Sequence, residues 1–226
     1  MEAYKRIQLS RKSGRPTGLD FVNHVVTDFF EMHGDRRFAD DPAIVAGVGR
    51  LCGKPITVIA QEKGHTMKKR TFRNFGSPHP EGYRKALRLM KQAEKFGRPV
   101  LCFVDTSGAF CGTGAEERGQ GLAIAENLCE MMTLKVPILT VFIGEGGSGG
   151  ALALAVADQV WMLENAYYAV ISPEGCASIL WKDSKKVREA SDSLRCVPED
   201  LLELGLIERI LPESDQDALW RTLPLE

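Results

Sequence analysis

The 226-residue sequence lacks the marks of several large classes of protein. It has no run of about 18 apolar residues free of charge, so no membrane-spanning helix is expected. Its formal net charge is −1, which favours neither nucleic acid nor a membrane surface as a partner. The amino-terminal residues carry charge but no apolar core, so they do not resemble a secretory signal, and a cytoplasmic location is expected.

The six cysteines form no metal-binding pattern. The sequence contains no C-x-x-C pair, and no histidine stands at ligand spacing from a cysteine, so no metal site is expected. Most of the cysteines lie in apolar company, where a reduced thiol behaves as a small hydrophobic group. Cys111 differs, because it lies in a glycine-rich stretch, and its reactivity is worth testing.

No linker rich in Ser, Gly or Pro divides the chain, which favours a single domain. We expect this domain to span residues 19–226, after a flexible or loosely docked lead-in over residues 1–18. Apolar residues at helical spacing predict a helix that begins near Asp20 and stops at Gly34.

The middle of the chain carries clear signals for secondary structure. Two β-branched runs joined by residues 52–54 predict a hairpin. The basic stretch over residues 63–80 has no clean period and is expected to be a loop. Pro80 is placed to open a helix, and Gly97 is placed to close it.

From residue 99 onward, an apolar strand, a glycine-rich loop and a helix are predicted twice in succession. Such a pattern indicates an α/β fold with a parallel or mostly parallel sheet covered by helices. Ligands bind such sheets where the chain leaves the carboxyl ends of strands. Two segments have this position: the first glycine segment, SGAFCGTGA (residues 107–115), and the second glycine segment, GEGGSGG (residues 144–150).

Glycine allows the backbone to approach a ligand closely, and the start of a helix presents unpaired N–H groups that favour negative charge. Each segment therefore suits a phosphate, or an oxyanion that forms only during a reaction. The lysine of a P-loop is missing, and the dinucleotide-binding pattern fits poorly. The pair of segments favours an oxyanion-binding role, with tight packing of helix against strand as the alternative.

Four stretches resemble the α-subunit family of bacterial acetyl-CoA carboxylase carboxyltransferases. The resemblance runs from about Asp20 to about Glu213, although Ser107 stands where that family usually has proline. It implies a crotonase-like fold, in which repeated β-β-α units form a superhelix. The four stretches are EKGHTMKKRTFRNFGSPHPEGYRKALRLMKQAEKFGRP, DTSGAFCGTGAEERGQG, IGEGGSGGALALAVAD and VISPEGCASILWKD.

The resemblance also implies an activity and partners. The activity is transfer of CO2 from carboxybiotin, held on a biotin carboxyl carrier protein, to acetyl-CoA, giving malonyl-CoA for fatty acid synthesis. The implied partners are a β subunit with a zinc ribbon, usually in an α2β2 complex, and biotin carboxylase in the larger assembly. The α chain itself would hold no metal.

The resemblance further implies that the α subunit serves the biotin side of the reaction, where charge develops on the ureido oxygen. Backbone N–H groups of Gly149 and Gly150 are the expected donors to this oxygen. The residues expected to shape the turn and to line the neighbouring wall are Gly146, Gly147, Gly108 and Ala109.

The basic stretch offers a second candidate set. It suits the phosphates of CoA or an acidic carrier protein, and the alternative is a solvated charged surface. The candidate substrate-binding residues in it are Lys69, Arg70 and Arg73. Gly175, in another predicted turn after a strand, is a further candidate.

Other functions remain open from the residues alone. Glu116 or Glu117 could act as acid or base in a stand-alone acyl-CoA hydratase, isomerase or decarboxylase of crotonase fold, although acidic residues are also favoured in a first helical turn. A hydrolase using Ser148 lacks a convincing partner histidine. A third alternative is an inactive family relative that acts as a binding scaffold.

Overall fold

The computed structural model describes residues 2–213, which form an eight-stranded sheet in the order β1-β2-β3-β4-β5-β6-β8, with β7 also paired to β5. The first three strands are antiparallel, and every pairing from β3 onward is parallel. All seven residues of β4 are buried. The strands are β1 Thr27–Glu31, β2 Ile44–Leu51, β3 Lys54–Gln61, β4 Val100–Thr106, β5 Ile138–Gly147, β6 Gln159–Leu163, β7 Tyr167–Ala169 and β8 Arg209–Leu211.

The helices that pack around this sheet are mostly short. The longest of those described is α4, whose buried face includes Tyr83 and Met90. Short 3-10 turns at Asn74–Gly76 and Ser184–Lys186 join some of them. The α-helices are α1 Ala3–Ser10, α2 Gly18–Val25, α3 Met67–Phe72, α4 Pro80–Lys95, α5 Thr113–Glu117, α6 Gln120–Met131, α7 Ser148–Leu152, α8 Pro173–Leu180, α9 Val187–Ser193 and α10 Pro198–Glu203.

The hairpin predicted around residues 52–54 is confirmed by the antiparallel pairing of β2 with β3. Cys52 and Gly53 have φ of 48° and 79°, the positive values that a two-residue turn matching the twist of the strands requires. The helix predicted from Pro80 is also confirmed, and it ends two residues before Gly97. The parallel sheet predicted for the second half of the chain is present.

The helix predicted between Asp20 and Gly34 is wrong in its second half. Asp20 does not open it: Thr17 is the N-cap, and its N–H donates to Asp20 Oδ2 at 2.7 Å. The helix ends at Val25, and the next residues pair with β2 as strand β1. The run that follows is rich in β-branched and aromatic residues, which favours a strand once a neighbouring edge is available.

The first residues differ from the flexible or loosely docked lead-in that the sequence suggested. They form α1, in which Ile7 is 1% exposed and packs with Tyr167 and Cys196. The boundary at residue 18 stays a prediction. Part of the domain predicted over residues 19–226 lies beyond residue 213 and so outside the described residues.

The second glycine segment is not the loop that the sequence suggested. Strand β5 continues to Gly147, and residues 145–147 pair with β7. The helix expected after Gly150 begins earlier, at Ser148, and ends at Leu152. This glycine-rich backbone is kept ordered because residues 145–147 pair with β7 on one side and Gly146 pairs with Thr106 of β4 on the other. The basic stretch likewise contains a helix, α3, where a loop was expected.

Candidate functional site

The two glycine segments touch each other at the carboxyl ends of β4 and β5. A Cβ atom placed on Gly147 would lie 2.2 Å from the carbonyl oxygen of Ser107. A Cβ on Gly150 would lie 2.3 Å from the backbone nitrogen of Ala109. Both distances are far inside van der Waals contact with backbone atoms, so close packing alone requires glycine at these two positions.

Gly146 is also required for packing, but against another neighbour. A Cβ there would lie 2.5 Å from the ring of Phe142 and 2.7 Å from the carbonyl oxygen of Tyr167. Gly146 and Gly147 are both buried within β5. They therefore fix the path of the strand that leads into α7, rather than shaping a loop.

The more accessible backbone of the two segments lies at Ser148, Gly149 and Gly108. Ser148 is exposed and Gly149 is half-buried, and the nearest atom to a Cβ at Gly149 would be in Ile124, 3.6 Å away. Gly108 has φ of 146°, and a Cβ there would meet no atom within 4 Å. The fold thus brings the predicted wall, Gly108 and Ala109, beside the predicted donors.

A group of charged side chains lies beside the two segments and includes Glu145 of the second one. Lys63 Nζ lies 2.7 Å from Asp105 Oδ1 and 2.7 Å from Glu145 Oε1. Asp105 Oδ1 also accepts the backbone N–H of Glu145 at 2.8 Å. Asp105 lies in β4 and Glu145 in β5, so one lysine holds the ends of two neighbouring strands together.

Residues of the amino-terminal region and of β7 extend this group. Arg11 Nε donates to Glu145 Oε2 at 2.7 Å, and its Nη1 donates to Glu174 Oε1 at 2.7 Å. The hydroxyl of Tyr167 donates to Glu145 Oε2 at 3.0 Å. We call Arg11, Lys63, Asp105, Glu145 and Tyr167 the charge cluster; the last three are buried, Lys63 is half-buried and Arg11 is exposed.

Neighbouring charges keep Glu145 and Lys63 ionised at neutral pH. Burial alone would raise the pKa of Glu145, but Lys63 and Arg11 outweigh burial and lower the pKa to about 2. Burial would lower the pKa of Lys63, but the two carboxylates outweigh it and raise the pKa. Burial, followed by Glu145, raises the pKa of Tyr167. These groups therefore act as fixed charges and hydrogen-bond partners rather than as a proton donor and acceptor.

A cavity of about 220 Å³ opens beside the cluster. Its wall includes Lys63, Asp105, Ser107, Glu145, Arg11 and Arg70. A larger groove of about 560 Å³ lies at the opposite edge of the sheet, where Pro99, Pro137 and Trp161 give it an apolar lining. We place the candidate site at the carboxyl-end cavity, because residues of both glycine segments, Ser107 and Glu145, line this cavity and none lines the larger groove.

The predicted basic residues do not form one set. Lys69 is exposed on α3, whereas the Nε of Arg70 donates to the carbonyl of Gly64 at 3.2 Å and borders the cavity. The guanidinium of Arg73 donates to the carbonyl of Pro42 at 2.7 Å, which anchors the loop before β2. Gly175 donates its N–H to Ser172 Oγ at 3.1 Å and so helps to cap α8.

The alternative catalytic side chains are placed on the surface. Glu116 and Glu117 are exposed on the short helix α5. Ser148 is exposed with φ of 50°. Of the four histidines in the sequence, His65 lies 2.6 Å from Asp20 and His79 is stacked on Phe110.

The comparisons with known proteins agree on one family. A family model described as acetyl co-enzyme A carboxylase carboxyltransferase-like matches residues 1–221. The acetyl-coenzyme A carboxylase carboxyl transferase subunit alpha of Ruminiclostridium cellulolyticum is 63% identical over 219 residues, which are 97% of this chain and 84% of that protein. The chain belongs to this family. The sequence resemblance and the assignment as a transferase subunit are therefore confirmed.

The carboxyltransferase α chains differ in length and in connection to a second subunit. The α subunit of Bacillus cytotoxicus is 58% identical over 214 residues, 95% of this chain and 66% of that protein. A Natranaerobius thermophilus protein named as subunits beta/alpha is 60% identical over 215 residues, 95% of this chain but 36% of that protein. The chain thus spans about two thirds of one relative and about a third of a fused one.

Solved structures confirm the crotonase-like carboxyltransferase fold. A transcarboxylase 12S structure with methylmalonyl-coenzyme A bound has a TM-score of 0.79 at 19% identity, covering 95% of this chain and 41% of that chain. The geranyl-CoA carboxylase beta subunit of P. aeruginosa has a TM-score of 0.72 at 17% identity, covering 92% and 40%. At these identities the likeness concerns the fold alone.

Two absences concern the described part of this carboxyltransferase chain. Within residues 2–213, no helix is both long enough and apolar enough to cross a membrane. Over the same residues, no group of three or more His, Cys, Asp or Glu side chains is arranged to hold a metal ion.

Proposed function

We propose that this chain forms the carboxybiotin half of an acetyl-CoA carboxyltransferase, which moves CO2 from carboxybiotin to acetyl-CoA and yields malonyl-CoA. The observation that carries this proposal is the meeting of the two glycine segments at the carboxyl ends of β4 and β5, in a chain of the carboxyltransferase α family. Backbone is accessible in both segments, at Gly108 and at Gly149, because glycine has no side chain that would cover it.

The residues available at this site fit an anionic transition state. The N–H groups in the first turn of α7 have no partner within the helix, so Gly149 and Gly150 are the proposed donors to a developing oxyanion. Gly108 and Ala109 form the proposed wall beside them. When bound, carboxybiotin supplies both the carboxyl group and the base that the reaction needs, which agrees with the fixed ionisation of Glu145 and Lys63 in the charge cluster.

The basic residues near the cavity have a supporting role in this proposal. Lys69 and Arg70 are proposed to attract the acidic carrier protein or the phosphates of CoA. Arg73 contributes through the position of the loop it anchors, and Gly175 through the start of α8.

The proposed partners are a β subunit with a zinc ribbon, which would serve the CoA half, and the biotin carboxyl carrier protein. Fused relatives that carry beta and alpha names on one chain support the first partner. Biotin carboxylase in a larger assembly, an α2β2 arrangement and a cytoplasmic location complete the proposal.

Reconstitution tests the function. The purified chain is mixed with a zinc-ribbon β subunit, and decarboxylation of malonyl-CoA is followed with biocytin as the acceptor. We expect turnover by the mixture and little by either chain alone. An inactive mixture of two folded chains would contradict the proposal, and activity of the isolated chain on an acyl-CoA, lost in Glu116→Gln or Glu117→Gln, would favour a stand-alone crotonase-type enzyme.

A further inference from the structure

The carbonyl group of Gly150 is held by side chains from two other elements. Gln61 Nε2 donates to this oxygen at 2.8 Å, and the hydroxyl of Tyr83 donates to it at 3.2 Å. Leu154, whose N–H would continue an α-helix by binding the same oxygen, donates instead to Ala151 at 3.1 Å. Helix α7 ends too early for its own backbone to bond the Gly150 carbonyl, and two buried side-chain donors bond it instead.

Gln61 also reaches the other glycine segment. Its Oε1 accepts the backbone N–H of Asp105 at 3.0 Å, two residues before Ser107. At Asp105 the pairing of β4 with β5 shifts register. One side chain at the end of β3 therefore ties the end of β4 to the start of α7.

The amide of Gln61 has a single possible orientation in this place. One partner is a carbonyl, which only accepts, and the other is a backbone N–H, which only donates. The side chain is 0% exposed, so water does not replace either partner. A glutamate of the same shape would put a second acceptor against the Gly150 oxygen unless the carboxyl carried a proton.

Tyr83 completes the arrangement from α4. Its side chain is 0% exposed, and burial raises the pKa of its hydroxyl, which keeps the proton available for donation. The hydroxyl oxygen would also lie 3.0 Å from a Cβ at Gly150. The Gly150 peptide is therefore fixed in both position and direction.

A fixed carbonyl fixes the rest of its peptide. The peptide bond is planar and trans, so these two bonds fix the plane of the Gly150–Ala151 peptide, which directly follows the N–H groups of Gly149 and Gly150 in the chain. The turn over residues 148–151 is thereby held before any substrate arrives. Donors that are already oriented stabilise an oxyanion without reorganisation during the reaction, whereas an error of about 1 Å can cost about a hundredfold in rate.

From this geometry we infer that Gln61 is a positioning residue for the carboxyl transfer, which orients the donors of the second glycine segment, with Tyr83 as a second support. The inference rests on the proposed function of those donors. Gln61 touches no substrate in this arrangement and acts through the Gly150 peptide.

The test compares Gln61→Glu with the wild-type chain, each in complex with the β subunit. At neutral pH we expect kcat for transfer from malonyl-CoA to biocytin to fall about a hundredfold, with the KM for malonyl-CoA unchanged. As the pH falls, the protonated glutamate regains a donor, so the ratio of variant to wild-type kcat should rise. Tyr83→Phe, which keeps the ring, should lower kcat about threefold.

Asn127→Asp is the matched control. Asn127 is 0% exposed, and its Nδ2 donates to the carbonyl of Ala153 at 3.1 Å, beyond the end of α7. This variant makes the same change from amide to carboxyl in a side chain that bonds the carbonyl of Ala153, three residues after Gly150. We expect a comparable loss in melting temperature, but a change in kcat below about threefold.

Hydrogen exchange gives a readout independent of turnover. In Gln61→Glu and Tyr83→Phe, amides of a peptide covering residues 144–154 should exchange faster at neutral pH than in the wild type.

The inference is overturned if Gln61→Glu keeps wild-type kcat and exchange, or if Asn127→Asp lowers kcat equally. An inactive wild-type complex would instead overturn the proposed function and this inference with it, and the two failures are thus distinguishable. If Gln61→Glu does not fold, Tyr83→Phe carries the test: unchanged kcat and exchange in that variant overturn the inference.

Discussion

The two glycine segments have similar composition but need glycine for different reasons. In the second segment, Gly147 and Gly150 face backbone atoms of the first segment at distances that no Cβ could occupy. In the first segment, Gly108 has open space around it but a φ of 146°, which L-residues rarely adopt. One segment therefore uses glycine for closeness and the other for backbone conformation, and only their combination leaves an accessible turn at the end of the sheet.

The largest predicted effect comes from separating the strands that carry the two segments. Lys63→Met would leave Asp105 and Glu145 without the cation that both share, 2.7 Å from each. We expect the free energy of unfolding to fall by about 3–5 kcal/mol in urea denaturation. Lys91→Met is the control, because its ion pair with Glu130 is exposed, and its loss should cost less than about 1 kcal/mol. Equal losses in the two variants would contradict a bridging role for Lys63.

Acid should weaken the same connection. The pKa of Glu145 is lowered to about 2 in the folded chain, so its contribution to stability is complete above the unfolded-state value near 4.5. That contribution is lost progressively as the pH falls from about 4.5 towards 2. Denaturation measured between pH 6 and pH 3 should show a steeper decline for the wild type than for Glu145→Gln. Parallel curves would show that Glu145 is not the group responsible.

Gly147→Ala tests closeness in the second segment. The new methyl group would lie 2.2 Å from the carbonyl oxygen of Ser107, which is backbone and cannot rotate away. We expect a loss of about 1–3 kcal/mol in unfolding free energy, measured by urea denaturation. An alanine variant as stable as the wild type would show that the two segments are less tightly packed than these distances require.

The smallest effects should distinguish backbone conformation from packing. Gly108→Ala meets no atom within 4 Å, so its expected loss of about 1–2 kcal/mol comes from the strained φ alone. Gly121→Ala, in α6 and equally free of neighbours, should instead add about 0.5–1 kcal/mol, since glycine is unfavourable inside a helix. Thermal melting of both variants checks the sign. If Gly108→Ala stabilised the chain, the first segment would not need glycine for its backbone conformation, and the distinction from the second segment would be wrong.

Much of the sheet could be predicted from local patterns. Strands were predicted correctly from the β-branched runs around residues 52–54 and from the apolar runs of β4 and β5. Pro80 likewise predicted the start of α4. The extension of β5 to Gly147 could not be predicted, because glycine has low strand propensity and its partner β7 lies some 20 residues later. The same holds for β1, which depends on the edge of β2.

The glycines of the candidate site could be predicted from the sequence, but its charged residues could not. The glycines were conspicuous, but Lys63, Asp105 and Glu145 lie about 40 residues apart and meet only because β3, β4 and β5 pair in parallel, with Lys63 just after the end of β3. A usable signal existed: Asp105 closes an otherwise apolar strand, and Glu145 lies alone among glycines. Gln61 gave no such signal, since its role depends on two backbone partners that only the fold brings together.

Gly149→Val in the α–β complex tests most directly whether the backbone N–H groups of the second glycine segment serve the transfer, and the measurement is the transfer rate. A Cβ there would make ordinary contact with Ile124, at 3.6 Å, and meet no backbone atom within 4 Å, so the chain should fold while access to the donor backbone is blocked. Leu152→Val, at a partly exposed position on the same short helix, is the control for a β-branched residue in α7. We expect Gly149→Val to lower transfer to biocytin at least about a hundredfold while Leu152→Val stays near wild type. Wild-type transfer by a folded Gly149→Val complex would contradict this expectation.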